Sequence, residues 1–272
     1  MTRTAPAFAV LMALMASPAL GGETACWFEN GVVVAPAEML GVAGDFILDT
    51  ATPRSQFAET QAQTAGFTDT ALIGEVRLAG VVLKGASVAV TDLDMRAGTL
   101  PTPVAGVIGA DLLRPYVVDV SFAPCRVRLS LRGRAPRFAA PTRLRIAWVA
   151  GRPAVTAAVA DGPHAWAGKF TPGIGADRAI RISDASARVL GAAKPKELYP
   201  YGILEPRLRA LSFAGELSEN LHSGLIASAD PGLAGEIGAP FLSRYRLRFD
   251  FPAGQMLLAP ANEKGPRIAP RP

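Results

Sequence analysis

The sequence predicts an all-β protein made of two homologous lobes, and three observations point there. Glycine (27) and proline (23) are plentiful in 272 residues while aromatics make up 7%, a composition that suits many short strands joined by tight turns better than long helices. The segment Val104–Tyr116 recurs as Leu233–Tyr245, with Ala105, Gly106, Ile108, Gly109, Ala110, Leu113 and Tyr116 each meeting an identical residue. Between the copies lies a Pro-rich, basic stretch with the character of a linker.

Half of the residues are hydrophobic, enough to bury a large core, which argues against disorder. The repeat extends without a gap to Leu131 and Pro260, so that Phe122 meets Phe251 and Leu129 meets Leu258. Glycines, aromatics and leucines recur together, which chance likeness of Gly/Ala-rich stretches does not produce. Each copy opens on an apolar-apolar-Gly step, passes through a short Leu- or Phe-containing segment, and ends in alternating strands: Tyr116–Phe122 with Cys125–Leu131, and Tyr245–Phe251 with Gln255–Leu258. Upstream, Val32–Leu40 and Asp45–Asp49 read as strands in the first half, and Ala154–Val159 and Ala165–Thr171 in the second. Glu75–Leu78, Val81–Leu83 and Ala86–Val90 follow in the first half, and Arg209–Phe213 with a less regular stretch to Ser228 in the second. The expected organisation is therefore an export signal (1–21), a first lobe (22–131), a linker (132–143), a second lobe (144–260) and a tail (261–272).

The N-terminus has the form of a signal peptide: Arg3, an apolar run over Ala5–Ala16, then small residues at Ser17-Pro18-Ala19 or Ala19-Leu20-Gly21. The run is well short of the roughly 20 residues of a spanning helix, so no stable membrane span is expected and the predicted location is the periplasm. There Cys26 and Cys125 can pair, closing a loop of about 100 residues and stabilising by a few kcal/mol; two buried thiols are the alternative. Lipidation of Cys26 is disfavoured by the charge in Glu23-Thr24-Ala25. His164 and His222 are the only histidines, too few beside two cysteines for a zinc site, and neither metal nor cofactor is expected. The net charge of +5 comes largely from stretches such as Arg126-Val127-Arg128 and Arg244–Arg248, where alternation sends arginines to solvent. Without interleaved aromatics they make no nucleic-acid surface.

The chemistry is carried by Phe46-Ile47-Leu48-Asp49-Thr50-Ala51-Thr52-Pro53-Arg54-Ser55, in which an acid directly follows an apolar strand and precedes small and hydroxyl residues. With the downstream Val107-Ile108-Gly109-Ala110-Asp111-Leu112-Leu113 and the closing Arg248-Phe249-Asp250-Phe251-Pro252, the chain resembles the aspartic-protease superfamily, especially bacterial retropepsin-like proteins. That resemblance implies a bilobal acid-protease fold in which two aspartates, one per lobe, share a proton. It makes Asp49 a candidate catalytic acid supported by Thr50 and Ser55. Ala51 stands where glycine is usual. Aligning the second lobe puts Thr171 at the position of the other aspartate, followed by Pro172, so the dyad and the hydrogen-bonded grip between lobes are expected to be lost. Asp177 is the nearest acid that could substitute.

Read without the resemblance, Asp49 could simply accept backbone hydrogen bonds at a strand end. Gly173-Ile174-Gly175-Ala176 lacks the context of a phosphate loop. Asp92 and Asp94 read as solvent-facing, and His164 with Trp166 as part of a packed strand that could line a pocket. The expected function is a catalytically impaired protease-like protein binding an extended peptide or protein segment. An active endopeptidase using Asp49 with an unorthodox second group, and a structural subunit of an envelope assembly, are the alternatives. Oligomeric state is left open.

Overall fold

The computed structural model describes residues 21–140, 142–161, 163–190, 207–226 and 230–261. The expected export signal, apart from Gly21, and the tail beyond residue 261 lie outside the described residues. The first half runs β1 (Gly21–Ala25), β2 (Trp27–Glu29), β3 (Val32–Met39), β4 (Val42–Leu48), β5 (Gln56–Ala58), α1 (Glu59–Thr64), β6 (Ala71–Leu78), β7 (Val81–Thr91), α2 (Asp94–Ala97), β8 (Gly106–Ile108), α3 (Ala110–Leu113), β9 (Val117–Phe122) and β10 (Cys125–Ser130). The second half repeats this plan. It runs β11 (Thr142–Arg145), β12 (Ala147–Val149), β13 (Arg152–Asp161), β14 (His164–Gly173), β15 (Ile180–Ser183), α4 (Asp184–Val189), β16 (Arg207–Phe213), β17 (Glu216–Ile226), β18 (Gly235–Gly238), α5 (Ala239–Leu242), β19 (Tyr245–Asp250) and β20 (Gln255–Pro260).

In the first lobe the ladder β3-β4-β8-β5-β7-β6 closes through β6 back onto β3. In the second, β13-β14-β18-β15-β17-β16 closes through β16 onto β13. Closure removes the unpaired edges that an open six-stranded sheet would expose. The turns that make it possible recur between lobes. Ala79–Gly80 joins β6 to β7 and Ala214–Gly215 joins β16 to β17, all four residues at positive φ, the turn geometry whose twist matches that of a hairpin.

Each barrel is filled by phenylalanines. Phe46 on β4 and Phe170 on β14 are fully buried, and each ring lies over a glycine of the neighbouring parallel strand. A Cβ on Gly106 would come within 3.1 Å of the Phe46 ring, and one on Gly235 within 2.9 Å of the Phe170 ring. Removing either ring from so tight a contact would cost about 3–5 kcal/mol.

The hairpins that end the two copies do not belong to the barrels. They join in one shared sheet, β1-β10-β9-β19-β20-β11, with β9 against β19 at the junction of the halves. Here one sequence expectation is corrected. Arg248, predicted to face solvent, is buried and makes a bidentate pair with Asp119 directly opposite, at 2.5 and 2.7 Å, while its guanidinium lies 4.9 Å from the Phe138 ring centre. Alternation placed it on the correct side of the strand, but the linker covers that side. The disulfide joins Cys26 to Cys125 and so ties the start of the described chain to the first residue of β10. Among the described residues no helix is long and apolar enough to cross a membrane.

Candidate active site between the lobes

Asp49 follows β4 directly, where the strand stops pairing and the chain turns. Its amide donates to the Ile108 carbonyl at 3.0 Å, which holds the residue against β8. The carboxylate is buried, and both of its oxygens accept hydrogen bonds. Oδ1 accepts from the Ala51 amide at 2.9 Å, and Oδ2 accepts from the Thr52 hydroxyl at 2.7 Å and from Arg96 Nη2 at 2.6 Å. Burial works to raise the affinity of this carboxyl for a proton. The Arg96 charge outweighs it together with the Thr52, Ala51 and Arg96 hydrogen bonds, and holds Asp49 below its ordinary value. Arg96 comes from α2 and also reaches Thr52 Oγ1 (3.2 Å) and the carbonyl of Gly175 in the other lobe (3.0 Å).

Strand registers identify what faces Asp49. In the first lobe Phe46, Ile47 and Leu48 pair with Gly106, Val107 and Ile108. In the second, Phe170, Thr171, Pro172 and Gly173 pair with Gly235, Glu236, Ile237 and Gly238. Thr171 therefore corresponds to Ile47, and Gly173, two residues later, is the counterpart of Asp49. The sequence alignment slipped by two because a two-residue shift leaves every side chain of a strand on the same face, so alternation cannot detect it. The expected loss of the grip is corrected in part: the arm from Thr50 is present, while Ile174, at the matching position of the second lobe, has no hydroxyl to return it. Thr50 Oγ1 donates to the Pro172 carbonyl at 2.5 Å and accepts from the Ile174 amide at 3.3 Å. The contact uses proline's carbonyl, so its missing N–H is of no consequence.

Glycine is required on the second lobe's side. A Cβ at Gly175 would lie 2.5 Å from Asp49 Cβ, and one at Gly173 would lie 2.9 Å from Ala51 Cβ and 2.5 Å from Glu236 Oε1. Ala51 does not adopt a positive φ, so an alanine fits where glycine is usual in the family.

Around Asp49 opens a cavity of about 580 Å³ lined from both lobes, by Ile47, Met95 and Leu100 on one side and Thr171, Leu233 and Glu236 on the other. Arginines set its electrostatics. Arg152 Nε donates to the Ala51 carbonyl at 2.8 Å and pairs with Asp230; Arg181 pairs with Asp177 and stands 3.5 Å from Glu236 Oε2. Burial first, and the Asp49 charge second, push the Glu236 carboxyl up to about 7 against the pull of Arg181, Arg96 and Arg152. The Thr171 hydroxyl is buried in the wall, with no hydrogen-bond partner among the described residues. Among the described residues no group of three or more His, Cys, Asp or Glu is placed to hold a metal ion.

No family model and no curated protein matches the sequence. Among solved structures, an aspartic proteinase from Irpex lacteus superposes with a TM-score of 0.55 at 13% identity, over 89% of this chain and 98% of that one. The chain has the bilobal aspartic-protease fold.

Within this aspartic-protease fold the predicted residues separate. Asp49 and Thr50 meet at the lobe junction. Ser55 does not touch Asp49; its hydroxyl donates to Asp111 Oδ1 at 2.8 Å and accepts from the Gly109 amide at 2.9 Å, fastening the loop to α3. Thr52 takes the supporting role instead. Asp177 lines the cavity, but its carboxylate is held by Arg181. Asp92 and Asp94 are exposed, Asp92 accepting the Asp94 amide, and His164 and Trp166 are exposed on the outer half of β14, away from the cavity. Sequence reasoning missed Arg96, Arg152, Arg181 and Glu236. Only Glu236 carried a signal, as an acid at a repeat position where the first copy has Val107.

Proposed function

We propose that this is an exported aspartic-protease-like protein whose inter-lobe cavity takes an extended peptide segment and whose hydrolytic chemistry is held off. The observation that carries this reading is the Arg96–Asp49 pair. To act as a base, Asp49 must accept a proton from water, yet Thr52 and Arg96 fill Oδ2, the Ala51 amide holds Oδ1, and its proton affinity is lowered. Its counterpart, Gly173, has no acid to offer. Binding of an extended chain relies on main-chain hydrogen bonds and side-chain pockets, neither of which needs an acid pair. Export is supported by the N-terminal pattern and by a disulfide, a bond that persists in oxidising compartments.

The test has two parts, both on the mature chain. Anisotropy of a fluorescein-labelled unstructured peptide should report binding, and incubation with an unfolded protein from pH 3 to 8 should give no cleavage. Cleavage by the wild type that Asp49→Asn abolishes would make the protein an active peptidase, and absence of peptide binding would remove the cleft reading.

A further inference from the structure

The two lobes differ at a pair of nearby positions on adjacent parallel strands, offset by two residues in register: Glu236 pairs with Thr171, and Gly173 with Gly238. The first lobe has Asp49 at the end of β4 and Val107 on β8, whereas the second has Gly173 at the end of β14 and Glu236 on β18. An acid is absent from one position and an acid has appeared beside it. Geometry connects the two changes, since a Cβ built on Gly173 would lie 2.5 Å from Glu236 Oε1 and 3.3 Å from its Cδ. The carboxylate of Glu236 thus fills the space into which a side chain at 173 would grow, and the glycine gives it room. Glu236 is 8% exposed, and a carboxylate so deeply placed costs several kcal/mol unless paired. Its ion pair, to Arg181, is long at 3.5 Å, and Arg181 is already bound to Asp177.

We infer that Glu236 supplies the second carboxylate of the site, delivered from β18 instead of β14, and that Asp49 and Glu236 form a hydrolytic pair capped by Arg96. The inference rests on the cleft reading above and relocates the cause of inactivity from a missing acid to the cap. The division of labour follows from the surroundings. Asp49, ringed by donors, is the ionised partner; Glu236, buried in the wall of the same cavity, is the protonated one in mildly acidic solution. With Arg96 displaced, Asp49 takes a proton from a water whose oxygen bonds to the peptide carbonyl carbon, while Glu236 gives its proton to the carbonyl oxygen. Collapse of the resulting diol breaks the C–N bond. The nitrogen takes up the proton from Asp49, the diol returns one to Glu236, and the products are a carboxylic acid and an amine. Thr171, whose hydroxyl is buried in the same wall without a partner among the described residues and in register with Glu236, is available to position the water.

The experiment removes the cap and then each acid. Arg96→Ala, and Arg96→Met to keep the aliphatic bulk, are incubated with a reduced, unfolded protein from pH 4 to 7, alongside R96A/E236Q and R96A/D49N. Circular dichroism checks folding, and anisotropy of the labelled peptide checks binding. The expected result is cleavage by the uncapped variants where the wild type gives none, reduced about a hundredfold or more by either second substitution, all compared at protein concentrations at which anisotropy shows the peptide bound. Uncapped variants that fold and bind peptide yet do not cleave overturn the pair while leaving the cleft reading intact, and cleavage that is indifferent to Glu236→Gln overturns it too. Carboxyl carbon NMR of the wild type gives an independent measurement: Glu236 should take up its proton near neutrality and at lower pH in D49N, and a midpoint unmoved by D49N overturns the coupling on which the pair depends.

Discussion

Ala51 and Gly173 face each other across the lobe junction so closely that only one of them can carry a side chain. A Cβ on Gly173 would stand 2.9 Å from that of Ala51, nearer than two such carbons approach. The methyl group at 51 and its absence at 173 are one packing solution, and Glu236 occupies the volume that remains.

Restoring an aspartate at 173 should therefore destabilise the protein. Gly173→Asp is expected to cost about 1–3 kcal/mol through overpacking, and Ala51→Gly in the same chain should return part of it. Urea unfolding midpoints measure both. A stable single variant would show that the junction relaxes more easily than its contacts imply.

The pH dependence of stability has two opposite contributions. The folded Glu236 carboxyl is raised to about 7 from an ordinary 4.5, by burial and by Asp49, with Arg181, Arg96 and Arg152 opposing. Between those values the folded state holds a proton that the unfolded chain releases, so stability is full below pH 4.5 and falls as pH rises toward 7, by on the order of 3 kcal/mol. Asp49 acts in the other direction: its lowered value contributes stability above 3.8 that is lost as pH falls through the folded value. Glu236→Gln should match the wild type at pH 4 and exceed it progressively toward pH 8. Equal urea midpoints for the two proteins at pH 8 would rule out a raised Glu236.

The grip between lobes predicts a cost for losing one hydroxyl. Thr50→Val keeps the shape but leaves the buried Ile174 amide and Pro172 carbonyl without their partner, at about 1–3 kcal/mol. Differential scanning calorimetry should show a lowered Tm, and an unchanged value would mean that solvent or a neighbour replaces the contact.

Reduction of the Cys26–Cys125 bond releases a loop spanning 99 positions in sequence. The C26S/C125S variant should lose about 4 kcal/mol, mostly through the freedom regained by the unfolded chain. Unfolding of both proteins in urea measures the difference.

What the sequence determined by itself was the repeating plan. The doubled Gly-Ala-Leu segment, the alternating hairpins that follow it and the acid at the end of an apolar strand are local patterns, and each specifies its element without reference to distant residues. Asp49 and Thr50 were legible for the same reason, and the cysteine pair because the sequence holds only two cysteines. Tertiary structure alone decided what meets them. Arg96 lies 47 positions from Asp49, in a segment with no pattern of its own, and Arg152 reaches the Ala51 carbonyl only because the two barrels close against each other. The identity of Asp49's counterpart hinged on strand register, which periodicity leaves undetermined under a shift of two residues. Ladder pairing and glycine contacts set it at Gly173, and the same closeness of approach brought Glu236 into the place that an aspartate there would have filled.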